Sequence, residues 1–97
     1  MSEIVIVAKI KIKEQFRDEV LSELFSLHIK THEVDEGCVQ YDLHKDLEDI
    51  NSFTFVETWK TPQLLEQHMA SEHFAIFVKK VEDKLESLEI SKLEKLK

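Results

Sequence analysis

Residues 53–74, FTFVETWKTPQLLEQHMASEHF, decide the fold, because this one run contains a strand, a helix start and two histidines. The strand is indicated by the residues at every second position, which are Phe53, Phe55, Glu57 and Trp59. This spacing places three aromatic side chains and one carboxylate on the same face of a strand. The sequence therefore predicts a strand with a largely aromatic face.

A helix is predicted to begin directly after this strand. Thr61 is a favourable N-cap residue, and Pro62 suits the first helical position because its missing N–H has no partner there in any case. His68 and His73 follow near the end of this helix and in its continuation. The pattern brings helical imidazoles beside the Trp and Glu of a strand, and we interpret this as a candidate reaction site.

The preceding half of the chain predicts two more strands and another helix. Residues 4–13 alternate in the manner of a strand, and residues 14–34 carry a helical stripe of apolar side chains. The turn at residues 35–37 ends that helix, since its glycine suits a left-handed conformation. Residues 38–45 alternate again, and the polar residues 46–52 then form a loop of a hairpin.

The second helical region is predicted to be broken. One piece spans about residues 62–69, and Ser71 caps a second piece over about residues 72–85. A last strand is expected over about residues 87–94. The element order is β-α-β-β-α-β, the ferredoxin-like α+β pattern, in which both helical regions cover one face of an antiparallel sheet.

The other face of this sheet is predicted to be open. In the second strand, Val39, Tyr41 and Leu43 are expected to share one face, whereas Cys38 and His44 point the other way. The open face then carries Val5, Val7, Cys38, Thr54 and Val56. An exposed apolar face is aggregation-prone, so we expect two sheets to pack face to face in a homodimer with twofold symmetry.

Composition sets the broad limits on function. The 97 residues make one domain, residues 1–97, with enough surface to bury a single two-layer core. A formal net charge of −7 argues against nucleic acid as a partner, and no run approaches the length of a membrane span. The lone Cys38 cannot form an internal disulfide, and the N-terminus has no apolar signal-peptide core. We therefore expect a cytoplasmic protein.

A longer pattern, E-x-W-K-x-P-x-x-L-x-x-H-x-x-S-x-H-F, surrounds the candidate site. It comprises Glu57, Trp59, Lys60, Pro62, Leu65, His68, Ser71, His73 and Phe74. Upstream, residues 36–38 and Tyr41 fit the pattern E-G-C-x-x-Y at the start of the second strand. Together with the element order and the length, these residues resemble the antibiotic biosynthesis monooxygenase domain, over about residues 4–90.

The resemblance implies a dimeric ferredoxin-like α+β barrel with a pocket between sheet and helices in each subunit. Well-described members oxidise quinols or polycyclic phenols with molecular oxygen and need no metal, flavin or haem. The haem-degrading branch carries an Asn and a His where this chain has Ala8 and Val78, which argues against haem. Isomerases of the same fold carry a Pro where Glu72 stands, so we keep that activity only as an alternative.

Oxygenation without a cofactor requires a base, because a phenolate gives up electrons far more readily than a phenol. His68 and His73 are the candidate catalytic bases. Glu57, a carboxylate among aromatic residues, needs a partner, and it either fixes the tautomer of a histidine or simply joins strand to helix. The side chains expected to bind substrate are Trp59, Glu57, Tyr41, Phe55 and Phe74. Core packing is the alternative role of the aromatic ones.

Other histidines and the cysteine receive structural interpretations. His28, His32 and Glu36 are spaced four apart, as in some divalent-metal sites, but we expect a solvated helix flank and no metal site. Cys38 is expected to be a small buried residue, and His44 to lie at an interface.

Two functions of different classes fit these observations. The first is a cofactor-independent monooxygenase whose substrates are a quinol or related phenol and molecular oxygen. The second is a non-catalytic dimer that binds a small aromatic molecule in the same pocket.

Overall fold

The computed structural model describes residues 3–97, and its strands and helices follow the predicted order. The strands are β1 (Ile4–Ile12), β2 (Cys38–Lys45), β3 (Ser52–Trp59) and β4 (Leu85–Glu94). The helices are α1 (Arg17–Val34), α2 (Pro62–Met69) and α3 (Glu72–Val81). The strands form one antiparallel sheet in the order β2-β3-β1-β4, which confirms the ferredoxin-like α+β fold.

The aromatic face of β3 lies at the centre of the buried layer. Ile6 of β1 lies opposite Glu57, and Ala8 lies opposite Phe55. Residues directly opposite in an antiparallel pair share one face of the sheet, so these side chains form a common layer beneath the helices. All four alternating residues of β3 are buried, as their spacing predicted: Phe53, Phe55, Glu57 and Trp59.

A β-bulge in β2 changes the predicted orientation of its first residues. Cys38 lies opposite Trp59, while Gln40 lies opposite Thr58, so Val39 is an extra residue between two ladder positions. Cys38 therefore shares the helix-covered face with Trp59 and packs against the core, and its assignment to the open face was wrong. Val39 is 51% exposed instead of sharing the buried environment of Tyr41.

The break in the second helical region has the predicted capping residues. The Thr61 side chain accepts a hydrogen bond from the backbone N–H of Leu64, which caps α2. The Ser71 side chain accepts one from the N–H of Phe74 at 3.3 Å, which caps α3. Each hydroxyl satisfies one backbone donor that a helix start leaves unpaired. We refer to α2 and α3 together as the α2–α3 arm.

Two element boundaries differ from the predicted ones. α3 ends at Val81 rather than near Leu85, and β4 already begins at Leu85. Asp83 between them has a φ of 67°, a left-handed conformation that interrupts a right-handed helix. At the other end of the chain, residues 14–16 form a short 3₁₀ turn before α1.

The turn from α1 into β2 depends on Gly37. Its φ is 81°, and a Cβ at this position would collide with the side chain of Leu64. The Gly37 carbonyl also accepts a hydrogen bond from the N–H of Lys60 at 3.0 Å. These contacts hold the turn against the start of the α2–α3 arm, and Asp35 lies in this turn.

The two helical regions cover the same face of the sheet unequally. α1 buries Val20, Leu24 and Leu27, whereas the only fully buried apolar side chains of the arm in the described residues are Leu65 and Val81. The arm therefore leaves a space between itself and the sheet. On the opposite face, half-buried residues of β1 and β3 form the predicted open surface: Val5, Val7, Thr54 and Val56. Among the helices of residues 3–97, none has the length and apolar character that a membrane span requires.

Candidate active site

A cavity of about 810 Å³ lies between the sheet and the α2–α3 arm. Its floor includes Ile6 and Ala8 of β1 and Ile90 of β4, and its roof includes Leu65 and Phe77 of the arm. This volume lies within the range of small-molecule sites. Six titratable side chains line the cavity: Tyr41, Glu57 and His68 are buried, whereas Glu82, Asp83 and Lys92 are exposed. The cavity therefore combines a mainly apolar surface with three buried groups able to exchange protons or hydrogen bonds.

His68 is the histidine that lines this cavity. It is 3% exposed, and its Nδ1 lies 2.5 Å from Oδ2 of Asp35. A carboxylate only accepts hydrogen bonds, so Nδ1 carries the proton and the lone pair of the neutral ring is on Nε2. Burial lowers the pKa of His68 despite the opposing effect of Asp35, so the neutral form prevails at pH 7. Within residues 3–97, Nε2 has no hydrogen-bond partner and is available to a bound molecule.

Aromatic rings hold the His68 imidazole in place. The ring centroid of His68 lies 4.6 Å from that of Trp59, 5.1 Å from that of Phe74 and 5.4 Å from that of Tyr41. Trp59 is fully buried and does not line the cavity, so it packs behind the imidazole. The structure thus brings Trp59 to His68, but not to the surface that a substrate would touch.

His73 meets the same carboxylate without reaching the cavity. Its Nε2 lies 3.0 Å from Oδ2 of Asp35 and 3.2 Å from Oγ of Ser71. The helix break at Ser71 brings two histidines five positions apart onto one oxygen atom, which a continuous helix would not do. His73 does not line the cavity, so it can influence a bound molecule only through Asp35 and His68.

Asp35 is the site residue that sequence reasoning missed. It follows the last residue of α1, and its N–H donates to the carbonyl of Thr31 at 3.0 Å. Its side chain is 8% exposed. The sequence signal was an Asp two positions before the helix-ending glycine, and it was interpreted only as part of a turn. Neither role considered for Glu57, fixing the tautomer of a histidine or joining strand to helix, is observed, because Asp35 bonds both histidines.

Glu57 instead pairs with the indole of its own strand. Its Oε1 accepts a hydrogen bond from Nε1 of Trp59 at 3.0 Å. Glu57 is 6% exposed and lines the cavity. Burial raises its pKa to about 7, although the Trp59 N–H acts in the opposite direction. Glu57 therefore titrates near neutral pH, where its carboxyl group can donate or accept a proton.

The remaining residues expected at the site lie in the cavity wall. Tyr41, Phe55 and Phe74 all line it, and the rings of Tyr41 and Phe55 lie 4.7 Å apart. Tyr41 and Phe55 are also almost fully buried, so they serve the core and the cavity together. Burial raises the pKa of Tyr41 above its usual value, so its phenol is neutral at pH 7.

Cys38 and His44 lie outside the cavity wall. Cys38 is half-buried, and burial together with nearby carboxylates raises its pKa to about 11. It is therefore a neutral thiol at pH 7 and a poor nucleophile. His44 is exposed, and its Nδ1 lies 3.3 Å from the carbonyl oxygen of Thr54.

Comparisons with known proteins agree with the fold and show the family. A family model described as antibiotic biosynthesis monooxygenase matches residues 3–80. A protein of Bacillus subtilis (strain 168) named "Putative monooxygenase YcnE" is 39% identical over 77 residues, which cover 79% of this chain and 80% of that protein.

Solved structures extend the likeness over the whole domain. A crystal structure from Pseudomonas aeruginosa has 30% sequence identity and a TM-score of 0.93, and the alignment covers 100% of this chain and 97% of the other. A crystal structure from Methanosarcina mazei Go1 has 31% sequence identity and a TM-score of 0.88, and the alignment covers 98% of this chain and 94% of the other. With the family match over residues 3–80, these likenesses show that the chain belongs to the antibiotic biosynthesis monooxygenase family.

Proposed function

We propose that this protein is a cofactor-independent monooxygenase that oxidises a small quinol or related phenol with molecular oxygen. The observation that carries the proposal is His68, a neutral histidine in the wall of a mainly apolar cavity with its Nδ1 bonded to Asp35. The family match and the monooxygenase name of the Bacillus subtilis relative support the reaction class.

The first step is removal of a phenolic proton. Nε2 of His68 accepts the proton of a bound hydroquinone, and the resulting imidazolium stays paired with the Asp35 carboxylate at 2.5 Å. A base oriented by a carboxylate on its second nitrogen is the arrangement that general-base catalysis requires. Asp35 acts here as a positioning residue, because it touches His68 and not the cavity.

The phenolate then supplies the electrons for oxygen reduction. One oxygen atom of O₂ enters a ring C–H position and the other leaves as water. A hydroquinone thereby becomes a hydroxyquinone after giving up four electrons, so no external reductant is needed. Glu57, with a pKa of about 7, is suited to donate the proton that accompanies cleavage of the O–O bond.

We also propose that the protein forms a homodimer through the open face of its sheet. Val5, Val7 and Val56 lie on this face and are only half-buried, and Leu93 beside them is 48% exposed. Two such faces are self-complementary under twofold symmetry. A Val7→Lys variant should then elute as a monomer in light-scattering chromatography, whereas a wild-type mass of one chain would contradict the dimer.

Oxygen uptake with a panel of hydroquinones tests the enzymatic proposal. The wild-type protein should accelerate uptake, and His68→Gln should lower kcat by about 10³-fold or more, in the range of a lost general base. His44→Gln is the matched control, since His44 is exposed and does not line the cavity. Wild-type uptake at the uncatalysed rate, or equal rates in His68→Gln, would overturn the proposal.

One observation favours the non-catalytic alternative. Leu88 and Ile90 in the cavity floor are 52% and 51% exposed, so the cavity is open to water along β4. A site that only binds a small aromatic molecule does not need to exclude water. Thermal protection by a hydroquinone analogue without oxygen uptake would favour this alternative.

A further inference from the structure

A second cluster of two histidines and an aspartate lies at the free edge of β2. His28 and His32 are one turn apart on α1, and Asp42 is on β2, the edge strand of the sheet. Each side chain offers one donor atom, and the three atoms lie within 4.8 Å of one another. We propose that this cluster binds a zinc ion. Glu36, the third donor that the spacing suggested, lies beyond the end of α1, and Asp42 takes its place.

The hydrogen bond of His32 prepares it for metal binding. Its Nε2 lies 2.9 Å from the carbonyl oxygen of Tyr41. A carbonyl only accepts, so Nε2 carries the proton and the lone pair of neutral His32 is on Nδ1. Histidines that bind metals usually donate their other N–H to a carbonyl or carboxylate in this way, which fixes both the tautomer and the ring.

Asp42 is oriented by a chain of hydrogen bonds across the sheet. Nε2 of Gln40 donates to Oδ2 of Asp42 at 2.9 Å, and Oγ1 of Thr58 donates to Oε1 of Gln40 at 3.0 Å. The amide orientation of Gln40 is thereby determined, and Oδ1 of Asp42 is left for a further ligand. Side chains that bind metals are usually oriented by further hydrogen bonds of this kind. Both the Asp42 carboxylate and the His32 imidazole have them.

The donor set suits zinc. Two imidazoles and one carboxylate, with water in the fourth position, form a common tetrahedral zinc site. Such a site needs donor atoms about 3.4 Å apart, from bonds of about 2.1 Å. The ring centroids of His28 and His32 already lie 4.5 Å apart, and His32 and Asp42 are exposed, so small side-chain rotations suffice.

The buried cluster of Asp35, His68 and His73 is a poorer zinc site, although its donor atoms also lie within 4.8 Å of one another. There, one oxygen of Asp35 already binds both histidines at 2.5 and 3.0 Å, so an ion would have to displace both hydrogen bonds. Among the described residues, no hydrogen bond joins His28, His32 and Asp42 to one another. Zinc can therefore bind the exposed cluster without breaking hydrogen bonds between its three side chains.

Zinc bound here would join α1 to β2 across the turn at residues 35–37. Asp35 lies in that turn, between His32 and Asp42 in the chain. The inference does not depend on the proposed oxygenase activity, because its test measures binding alone.

Calorimetric titration of the chelator-treated full-length protein with zinc chloride at pH 7.5 tests the site. One zinc per chain is expected. His32→Gln and Asp42→Asn should each weaken affinity about tenfold or more, because each removes one of three protein ligands. His44→Gln is the matched control, an exposed histidine outside the cluster, and should bind as the wild type does.

Two further measurements distinguish the clusters. The ring-proton NMR signals of His28 and His32 should shift on zinc addition, and Asp35→Asn should leave the affinity unchanged. Asp42→Asn retains an oxygen that can accept from Gln40, so its fold should be preserved, and an unchanged circular dichroism spectrum checks this. Unaltered zinc affinity in His32→Gln and Asp42→Asn, or its loss in Asp35→Asn, would overturn the proposal.

Discussion

Two clusters of the same composition, each with two histidines and one aspartate, lie near Tyr41. The ring centroid of Tyr41 is 5.4 Å from that of His68 in the buried cluster, and 6.3 and 6.2 Å from those of His28 and His32 in the exposed one. In the buried cluster the carboxylate lies between the imidazoles and binds both. In the exposed cluster, His32 bonds the carbonyl of Tyr41, and Asp42 accepts a hydrogen bond from Gln40. No hydrogen bond joins these two side chains or His28 to one another among the described residues.

This difference indicates that burial, rather than residue type, determines which role each cluster is suited to. A buried carboxylate needs its hydrogen bonds satisfied inside the protein, so Asp35 fixes the protons of its neighbours. An exposed carboxylate is solvated by water and can exchange that water for an ion. The buried cluster is therefore suited to positioning a base, and the exposed one to binding a metal ion.

The largest effect expected is on catalysis in an Asp35→Asn variant. The change should lower kcat for hydroquinone oxidation by about 10³-fold, within the usual range for general-base catalysis, because His68 loses the partner that fixes its tautomer. Oxygen uptake measures this. Asp42→Asn in chelator-containing buffer is the control from the exposed cluster and should retain the wild-type rate. Equal losses in the two variants would remove the distinction between the clusters.

The pH dependence of stability should reveal the burial of Glu57. Its pKa is about 7 in the folded protein, against an ordinary value of 4.5. Between these values the folded state holds the proton that the unfolded state has lost, so the contribution of Glu57 to stability declines as pH rises from about 4.5 to 7. The decline is about 3 kcal/mol for a shift of this size.

Urea unfolding at pH 4.5 and pH 8 of the wild type and of Glu57→Gln measures this contribution. Glutamine does not ionise, so the variant should lack the decline, and the difference between the two proteins should change by about 3 kcal/mol across this range. If the free energy of unfolding varied with pH in the same way for the two proteins, the pKa of Glu57 would not be raised in the folded state.

Zinc should stabilise the protein through the exposed cluster alone. At a free zinc concentration 100 times the dissociation constant, the free energy of unfolding should rise by about 2.7 kcal/mol. Thermal or urea unfolding with and without zinc measures the rise. It should fall to about 1.4 kcal/mol or less in Asp42→Asn, whose affinity is about tenfold or more weaker. The full rise should persist in Ser71→Ala, whose substitution lies beside the buried cluster. A rise of the same size in Asp42→Asn would place the ion elsewhere.

The smallest effect is expected for Ser71→Ala, which removes a helix cap beside the buried cluster. The Ser71 hydroxyl caps α3 and lies 3.2 Å from Nε2 of His73. Loss of the cap should cost about 1 kcal/mol of stability. Urea unfolding compared with Ser26→Ala, an exposed serine within α1, separates the cap from a general effect of the substitution. A cost no larger than that of the control would mean that the cap contributes nothing.

Much of the fold was predictable because it depends on local patterns. The alternation over residues 53–59 predicted the buried face of β3, and Thr61, Pro62 and Ser71 predicted both starts of the α2–α3 arm. The bulge at Val39 was not predictable, since an alternating sequence is compatible with a regular strand. It is visible only in the pairing of β2 with β3.

The site was predictable in part for the same reason. Four of the five side chains expected to bind substrate line the cavity, because the strand alternation and the arm place Tyr41, Phe55, Glu57 and Phe74 there. Trp59 lies behind His68 instead. The third member of each histidine cluster was missed, since Asp35 is 33 positions from His68 and Asp42 was not distinguished from other exposed acids.

The sequence by itself determined the order of elements, the strand faces and the helix caps, because these follow from backbone hydrogen bonding and side-chain spacing between near neighbours. Only the tertiary structure decided which carboxylate each histidine meets. That pairing depends on how the turn at residues 35–37 packs against the α2–α3 arm and how α1 lies across β2. Such contacts join distant parts of the chain, and no local spacing encodes them.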